Sequence, residues 1–354
     1  VNGVRTVHVV VPAGIDDPLR PSGGNTYDRR LSEGLVTGGW SVKTREVTGD
    51  WPWADAASRA GLAGALAATP DGSVVVVDGL VASACPEVLV PASRNRRTVV
   101  LVHLPVGVHG DRGDRAREAA VLRAVAAVVT TSDWTRRWLL RAYGLDPVRV
   151  DVARPGVDPA APVAGSPDGG NLLCVAAVTP DKGHDALVAA LARVADRPWR
   201  CLCVGPLTRS PEFVPTLRWQ ISGAGLAERI VLAGPRTGRE LEAAYAAADA
   251  LVLASRAETY GMVVTEALAR GLPVLAWDVG GVSEALGVCP DGSRPGVLVP
   301  AADVSAFGEA LGCWLGDAAL RRRLRVAAAR RRTGLTGWAE TAARVSGVLE
   351  RVAA

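Results

Sequence analysis

Lysine is nearly absent from this chain: of its 40 basic residues only Lys43 and Lys182 are lysines, and the rest are arginines. No low-complexity tract occurs, and 49% hydrophobic with 21% charged residues describes a globular chain rather than a disordered or fibrous one. No apolar run approaches the roughly 20 residues that span a bilayer, and no cleavable leader pattern is seen, so a cytoplasmic, reduced setting is expected. Six cysteines, at 85, 174, 201, 203, 289 and 313, have neither zinc nor redox spacing. Cys174, Cys201 and Cys203 fall in apolar runs and read as buried small hydrophobes. The four histidines are scattered along the chain, so no metal cluster is expected. A net charge of +4 is too mild to argue for a nucleic-acid partner.

What is present is alternation. At 354 residues the chain exceeds what one core usually covers, which predicts two domains. Apolar runs at Val4–Pro12, Ser73–Val77, Thr98–Val102, Ala126–Thr130 and Val148–Val152 predict buried parallel strands, with helices between them. One helix is expected to start at Ser132-Asp133-Trp134 and run through Tyr143. Pro162–Gly170, PVAGSPDGG, has the composition of a hinge. The plan then repeats with Asn171–Val178, Trp199–Val204, Arg229–Leu232, Ala250–Ala254, Pro273–Trp277 and Val297–Pro300. Helices are expected at Asp185–Ala195, Met262–Ala269, Ala318–Arg332 and Trp338–Val352. This alternation predicts an α/β chain of doubly wound parallel sheets.

The stretch from Leu251 to Leu286 concentrates the candidate chemistry. A strand leads into the polar loop Ser255–Gly261, a helix begins near Gly261 and Met262, and a second strand ends at Gly280-Gly281. Ligands of such units sit at the carboxyl ends of the strands, and the free N–H groups of a helix start suit a phosphate. Glu258 precedes the helix and Glu266 lies eight residues on, so the two carboxylates flank that helix start. Lys182, in Thr179-Pro180-Asp181-Lys182-Gly183, stands where a strand-end loop could meet an anion. Gly23-Gly24, before the first expected helix, would allow close backbone approach to a ligand, although a plain turn is the better reading of the pair taken alone. His103 ends the Thr98–Val102 run at the same edge of its sheet.

The ordered string Glu258-Thr259-Tyr260-Gly261, Glu266-Ala267-Leu268-Ala269, Gly271-Leu272-Pro273-Val274 and Gly280-Gly281-Val282-Ser283-Glu284 resembles the donor-site signature of retaining GT-B glycosyltransferases of family 4 (glycosyl transferases group 1). The resemblance implies two Rossmann-like domains facing a cleft. They are expected at residues 1–165 on the acceptor side and 171–335 for the nucleotide sugar, with residues 336–354 as a helix crossing back. It implies a nucleotide-diphosphate sugar (UDP- or GDP-linked) as co-substrate, no essential metal, and a small-molecule or lipid hydroxyl as acceptor. Glu258, Lys182 and His103 would be catalytic. Glu266 would hold the ribose, and Tyr260, Gly261, Met262, Gly23 and Gly24 would line the donor. The family often carries Gly-Arg just before the lysine loop, where this chain has Ala176-Ala177. Arg209 and Arg256 are the candidates to replace that cation. Trp134–Tyr143 mixes aromatics with arginines, as do membrane-touching surfaces of some relatives, but a helix with core contacts and a solvated basic face is the simpler reading. Gly110–Asp114, GDRGD, reads as a loop facing the acceptor. A nucleotide-sugar 2-epimerase and a non-catalytic nucleotide-sugar binder stay open as alternatives.

Overall fold

A computed structural model describes residues 5–19 and 21–354. The chain divides into two compact units. The first comprises residues up to Asp16, Ser22–Gly156 and Gly337–Ala354; the second comprises Asp17–Pro21 and Val157–Thr336.

In the first unit, β1 (Arg5–Pro12), β2 (Trp40–Val47), β3 (Val74–Asp78), β4 (Arg97–Val102), β5 (Ala127–Thr130) and β6 (Val150–Val152) form one sheet, in the order β2-β1-β3-β4-β5-β6. All its pairings are parallel. The reason lies in the unbroken valine runs. Val10, Val75, Val77, Val100 and Val102 point to one face and pack in one core cluster. Their neighbours Val7, Val9, Val11, Val74, Val76, Val99 and Leu101 alternate to the other. Both faces are therefore apolar, and each fully buried valine contributes about 1.5–2 kcal/mol. The helix Trp338–Ala353 covers the second face with Ala342, Val345, Val348 and Leu349. It lies so close to the helix Gly23–Thr37 that a Cβ on Gly34 would stand 2.5 Å from the Ala342 Cβ. Trp40 Nε1 donates to Ser346 Oγ at 2.8 Å, and Arg97 donates to the Ala353 carbonyl at 2.6 Å.

In the second unit, β7 (Asn171–Val175), β8 (Arg200–Val204), β9 (Ile230–Leu232), β10 (Ala250–Leu253), β11 (Val274–Asp278) and β12 (Gly296–Pro300) take the order β12-β11-β10-β7-β8-β9, again all parallel. A single core cluster includes Leu251, Leu268, Trp277 and Phe307.

Several expectations shift. The first strand is observed from Arg5; Val4 lies outside the described residues. Strand β2 was not expected, because its sequence WSVKTREV is half exposed at the sheet edge and carries no apolar run. The hinge-like stretch Pro162–Gly170 is bound onto the second unit: Asp249, fully buried, accepts from the Ser166 hydroxyl at 2.7 Å and the Asn171 N–H at 2.8 Å. The chain passes between the units at Asp16–Asp17, Pro21–Ser22, Gly156–Val157 and Thr336–Gly337, and not at this stretch. Gly110–Asp114 is a helix start, not a loop. Asp111 accepts from the Asp114 N–H at 2.9 Å and Asp114 accepts from the Asp111 N–H at 3.0 Å, a capping box for the helix Arg112–Ala124.

Trp134–Tyr143 lies in the helix Asp133–Tyr143, started by Ser132 as expected. Two of its three aromatics turn inward: Trp138 and Tyr143 pack edge to face at 5.4 Å against the core, and the Tyr143 hydroxyl donates to buried Glu118 at 2.5 Å. Arg136 is occupied with the Val150 and Pro147 carbonyls. This matches the core-contact reading. Among the described residues, no helix is long and apolar enough to cross a membrane.

Candidate functional site

Strand order locates the candidate site before any side chain does. In the second unit the chain leaves β7 for β8 and β9 on one side, then returns for β10, β11 and β12 on the other. The β7–β10 boundary is therefore a topological switch point, where the loops after adjacent strands part and leave a crevice. The loop after β7 carries Lys182, and the loop after β10 carries Glu258.

These two side chains meet. Lys182 Nζ donates to Glu258 Oε1 at 2.8 Å and to the Ala257 carbonyl at 3.4 Å, with Asp181 Oδ2 at 4.0 Å. They retain 25% and 14% side-chain exposure, so a ligand can reach both. Burial pulls the Lys182 ammonium down, but Glu258 and Asp181 outweigh it and hold it above the ordinary lysine value, while Arg209 pulls it down again. Arg209 thus sits in the electrostatic field of Lys182. Arg256 does not offer a free guanidinium. Its fork is taken by both oxygens of Asp185, at 2.8 and 2.7 Å, and it donates to the Pro180 carbonyl. It straps the turn that bears Lys182.

Backbone conformation fixes that turn. Gly183 closes a short 3-10 turn, Pro180–Lys182, with φ +66°, and a Cβ there would fall 1.8 Å from the Ala254 carbonyl oxygen. Gly280 does the same for the other loop: at φ +54° its missing Cβ would stand 1.7 Å from the Glu258 carbonyl oxygen, which accepts from the Gly281 N–H at 3.0 Å. The paired-glycine turn thus clasps the Glu258 backbone.

The helix Met262–Ala269 begins at Gly261, in the left-handed region, and no side chain caps it. Its first N–H groups and positive dipole end suit an anion. Tyr260 is buried beside it. Glu266, one turn in, accepts from the Tyr245 hydroxyl at 2.8 Å through Oε2, and Oε1 has no protein partner among the described residues. Burial raises the Glu266 carboxyl above its ordinary value, against the pull of the Tyr245 hydrogen bond and Arg270. Arg270 stacks over the Tyr245 ring at 4.1 Å and pairs with Glu242, which fixes Tyr245 and so Glu266.

In the first unit Gly23 and Gly24 form the first turn of the helix Gly23–Thr37, whose N-cap Ser22 accepts from the Asn25 N–H at 3.1 Å. Gly24 backs onto His103: a Cβ on it would meet the ring at 3.4 Å. His103 stands at the end of β4, as expected, with two partners that spacing gave no hint of, Asp28 and Asp78. Asp28 comes from the helix after β1 and Asp78 from the last position of β3, and only the sheet order brings them together.

The sheet also makes two clusters from residues that look scattered in sequence, Asp28–Asp78–His103 and Cys174–His184–Cys203. The expected absence of any such cluster is corrected to that extent. Cys174 and Cys203 face each other across β7 and β8, and Cys174 Sγ lies 3.7 Å from His184 Nε2. Hydrogen bonding to Cys203 and burial push the Cys174 thiol well up, so this thiol is protonated and unreactive. Of the six cysteines only Cys313 is exposed. Titration of the native protein with a disulfide reagent is accordingly expected to count one fast thiol, and six after denaturation. A second fast thiol in the native state would contradict the packing around Cys174 and Cys203.

Chains of known kind match at this point. The family model described as glycosyl transferases group 1 matches residues 169–317, and the one described as glycosyltransferase family 4 matches residues 73–161. D-inositol 3-phosphate glycosyltransferases are similar. That of Jonesia denitrificans is 33% identical over 255 residues, covering 66% of this chain and 59% of the relative. That of Kineococcus radiotolerans is 32% identical over 282 residues, covering 72% and 64%. The chain thus spans less than two thirds of either relative's length. Among solved structures, a sucrose-phosphate synthase from Thermosynechococcus elongatus superposes with TM-score 0.81 at 21% identity, covering 98% of this chain and 99% of that one. The Anabaena HepE protein in complex with UDP-glucose gives TM-score 0.79 at 16% identity, covering 98% and 99%. Two doubly wound parallel sheets with this likeness make the fold GT-B. The chain belongs to glycosyltransferase family 4, the group 1 glycosyl transferases.

Proposed function

We propose that this chain is a retaining hexosyltransferase that moves a sugar from a UDP- or GDP-sugar to a hydroxyl of a small-molecule or lipid acceptor. The observation that carries the reading is the Lys182–Glu258 ion pair at the β7–β10 switch point, beside the uncapped start of the helix Met262–Ala269. Breaking the anomeric C–O bond puts negative charge on the leaving phosphate and positive charge on the sugar. Lys182, Arg209 and the helix start at Gly261 and Met262 face the first; Glu258 favours the second and orients the sugar hydroxyls. Three positive elements at the phosphates leave no electrostatic need for a resident metal. Glu266, fixed through one oxygen by Tyr245, uses the other for the ribose hydroxyls. His103 serves the transferred sugar, and Gly23 and Gly24 keep the backbone beside it free of side chains. In a same-face displacement the departing phosphate takes the acceptor's proton, so no separate side-chain base is required.

Thermal shift against nucleoside diphosphates and nucleotide sugars, UDP-glucose first because of HepE, tests this. Stabilisation by one nucleotide series, weakened in Glu266→Ala, with slow diphosphate release by the wild type in EDTA, is the expected result. Inositol phosphates head the acceptor panel because of the relatives' names. No stabilisation by any nucleotide overturns the donor site. Sugar isomerisation without diphosphate release would point to an epimerase.

A further inference from the structure

The first unit has a switch point of its own. Its chain leaves β1 for β2 on one side and continues through β3 to β6 on the other, so the crevice lies at the carboxyl ends of β1 and β3. Three titratable side chains converge there. Asp28 comes from the helix after β1, Asp78 ends β3, and His103 follows the adjacent β4. His103 Nε2 lies 2.8 Å from Asp28 Oδ1 and 3.7 Å from Asp78 Oδ2. Both carboxylates are about 95% or more buried, a costly placement for two like charges unless a cation faces them. Asp78 is further fixed by the Leu80 and Val81 N–H groups, at 2.8 and 3.2 Å. The ring is held on its sides as well: Tyr27 meets it edge to face at 5.1 Å, and Tyr27 is itself pinned by its hydroxyl to the Ala153 carbonyl at 2.9 Å. Nε2 is therefore committed, and Nδ1 is the ring nitrogen left without a protein partner among the described residues.

We propose, on the glycosyl-transfer reading above, that Asp28 and Asp78 are positioning residues which hold His103 as an imidazolium, its Nδ1–H offered to a neutral hydroxyl of the transferred sugar. Asp28 sets the ring's orientation through Nε2, and Asp78 supplies the second negative charge. With both carboxylates ionised and the ring protonated, the trio carries −1. It repels a sugar that is itself anionic, accepts a neutral hexose, and favours the positive charge that develops on the sugar ring. The charged groups facing the ring are Asp28 from the first helix and Asp78 from the end of β3; Tyr27 faces it as an un-ionised phenol, its acidity suppressed by burial and by Asp28. Burial pulls the imidazole down, but Asp28 and Asp78 outweigh it and keep it above the ordinary histidine value. Burial and Asp28 push the Asp78 carboxyl up to about 6. The competent arrangement therefore sets in as pH rises through about 6 and is lost only above the raised imidazole value.

With four histidines in the chain, histidine-labelled NMR resolves the question without any activity measurement. His103, assigned by its disappearance in His103→Asn, is expected to titrate above an ordinary histidine and to fall in Asp28→Asn and Asp78→Asn. In Asp28→Asn the amide oxygen can still accept from Nε2–H, and in Asp78→Asn it can still accept from the Leu80 and Val81 N–H groups, so these variants fold and remove charge alone, which circular dichroism checks. In transfer assays Asp28→Asn is expected to move the alkaline limb of kcat/KM to lower pH. Asp28→Ala, which also frees the ring, is expected to lower kcat by roughly 10²-fold with donor KM little changed. UDP-glucuronate is expected to turn over far more slowly than UDP-glucose. A His103 midpoint at or below the ordinary value, or one that Asp28→Asn leaves in place, overturns the proposal. Selective broadening of His103 by micromolar Mn²⁺ overturns it too, by making the trio a metal site. A raised His103 midpoint in a protein that turns over no donor would instead leave the anchoring standing and remove the transferase reading.

Discussion

Lys182→Ala is expected to abolish turnover of the donor while the chain stays folded. The Lys182 ammonium is paired with Glu258 and lies 4.0 Å from Asp181, and the alanine variant leaves both carboxylates there without that charge. A diphosphate then meets repulsion where it met attraction. Removing a single charged contact that strengthens as the leaving group departs typically costs about 10²–10³ in kcat, and the exposed carboxylates extend the loss to binding. Lys182→Arg is not expected to restore the rate, because a planar fork cannot replace a point charge in the narrow turn before Gly183. The effect on stability is small: the Lys182–Glu258 pair is partly solvated and contributes about 1 kcal/mol or less. Nucleoside diphosphate release and calorimetric titration with the diphosphate check both parts. Wild-type turnover in Lys182→Ala would remove Lys182 from the chemistry.

Gly183→Ala is the second large effect, and here the backbone fails before the charge does. The residue sits at φ +66°, and the added Cβ would stand 1.8 Å from the Ala254 carbonyl oxygen at the end of β10. No rotamer relieves a Cβ contact, so either the Lys182 turn or the end of β10 must move. Strain at a left-handed position together with the forced displacement costs roughly 3 kcal/mol. For a unit of this size that lowers the melting temperature by roughly 10 °C. Lys182 is displaced with its turn, so stabilisation by nucleoside diphosphates is expected to vanish even where the variant remains folded. Gly292→Ala is a fitting control. It too has a positive φ, of +80°, but a Cβ there meets nothing within 4 Å. Equal melting temperatures for the two variants would contradict the steric account.

The sheet strands that run through the core were legible because parallel strands buried on both faces spell themselves as continuous valine and leucine runs. The helix Met262–Ala269 was legible to the residue, since Gly261 and Gly271 bracket it. Strand β2 was not, because an exposed edge has no such run, and the Pro162–Gly170 stretch has the composition of a linker while Asp249 ties it down. In the site, the Glu258–Glu266 spacing with its glycines survives in sequence because it lies on one loop and one helix. The pairing of Lys182 with Glu258 spans 76 positions and exists only because β10 lies beside β7. The same holds for Asp28, Asp78 and His103, whose partnership is a property of strand order. Arg256 shows the reverse limit: charge and proximity suggested a phosphate ligand, and only the position of Asp185 shows that its guanidinium is already engaged.

The helix Trp338–Ala353 has a consequence for how the molecule is made. It completes the core over the Val7, Val9 and Val11 face of the first sheet, yet it is translated after the whole of residues 157–336. On the ribosome residues 157–336, with the earlier-made Asp17–Pro21, can finish folding the second unit while the older unit still waits with an apolar face uncovered. The order of completion therefore reverses the order of synthesis. For that interval the unfinished valine face is the part of the nascent chain most open to chaperones and to aggregation.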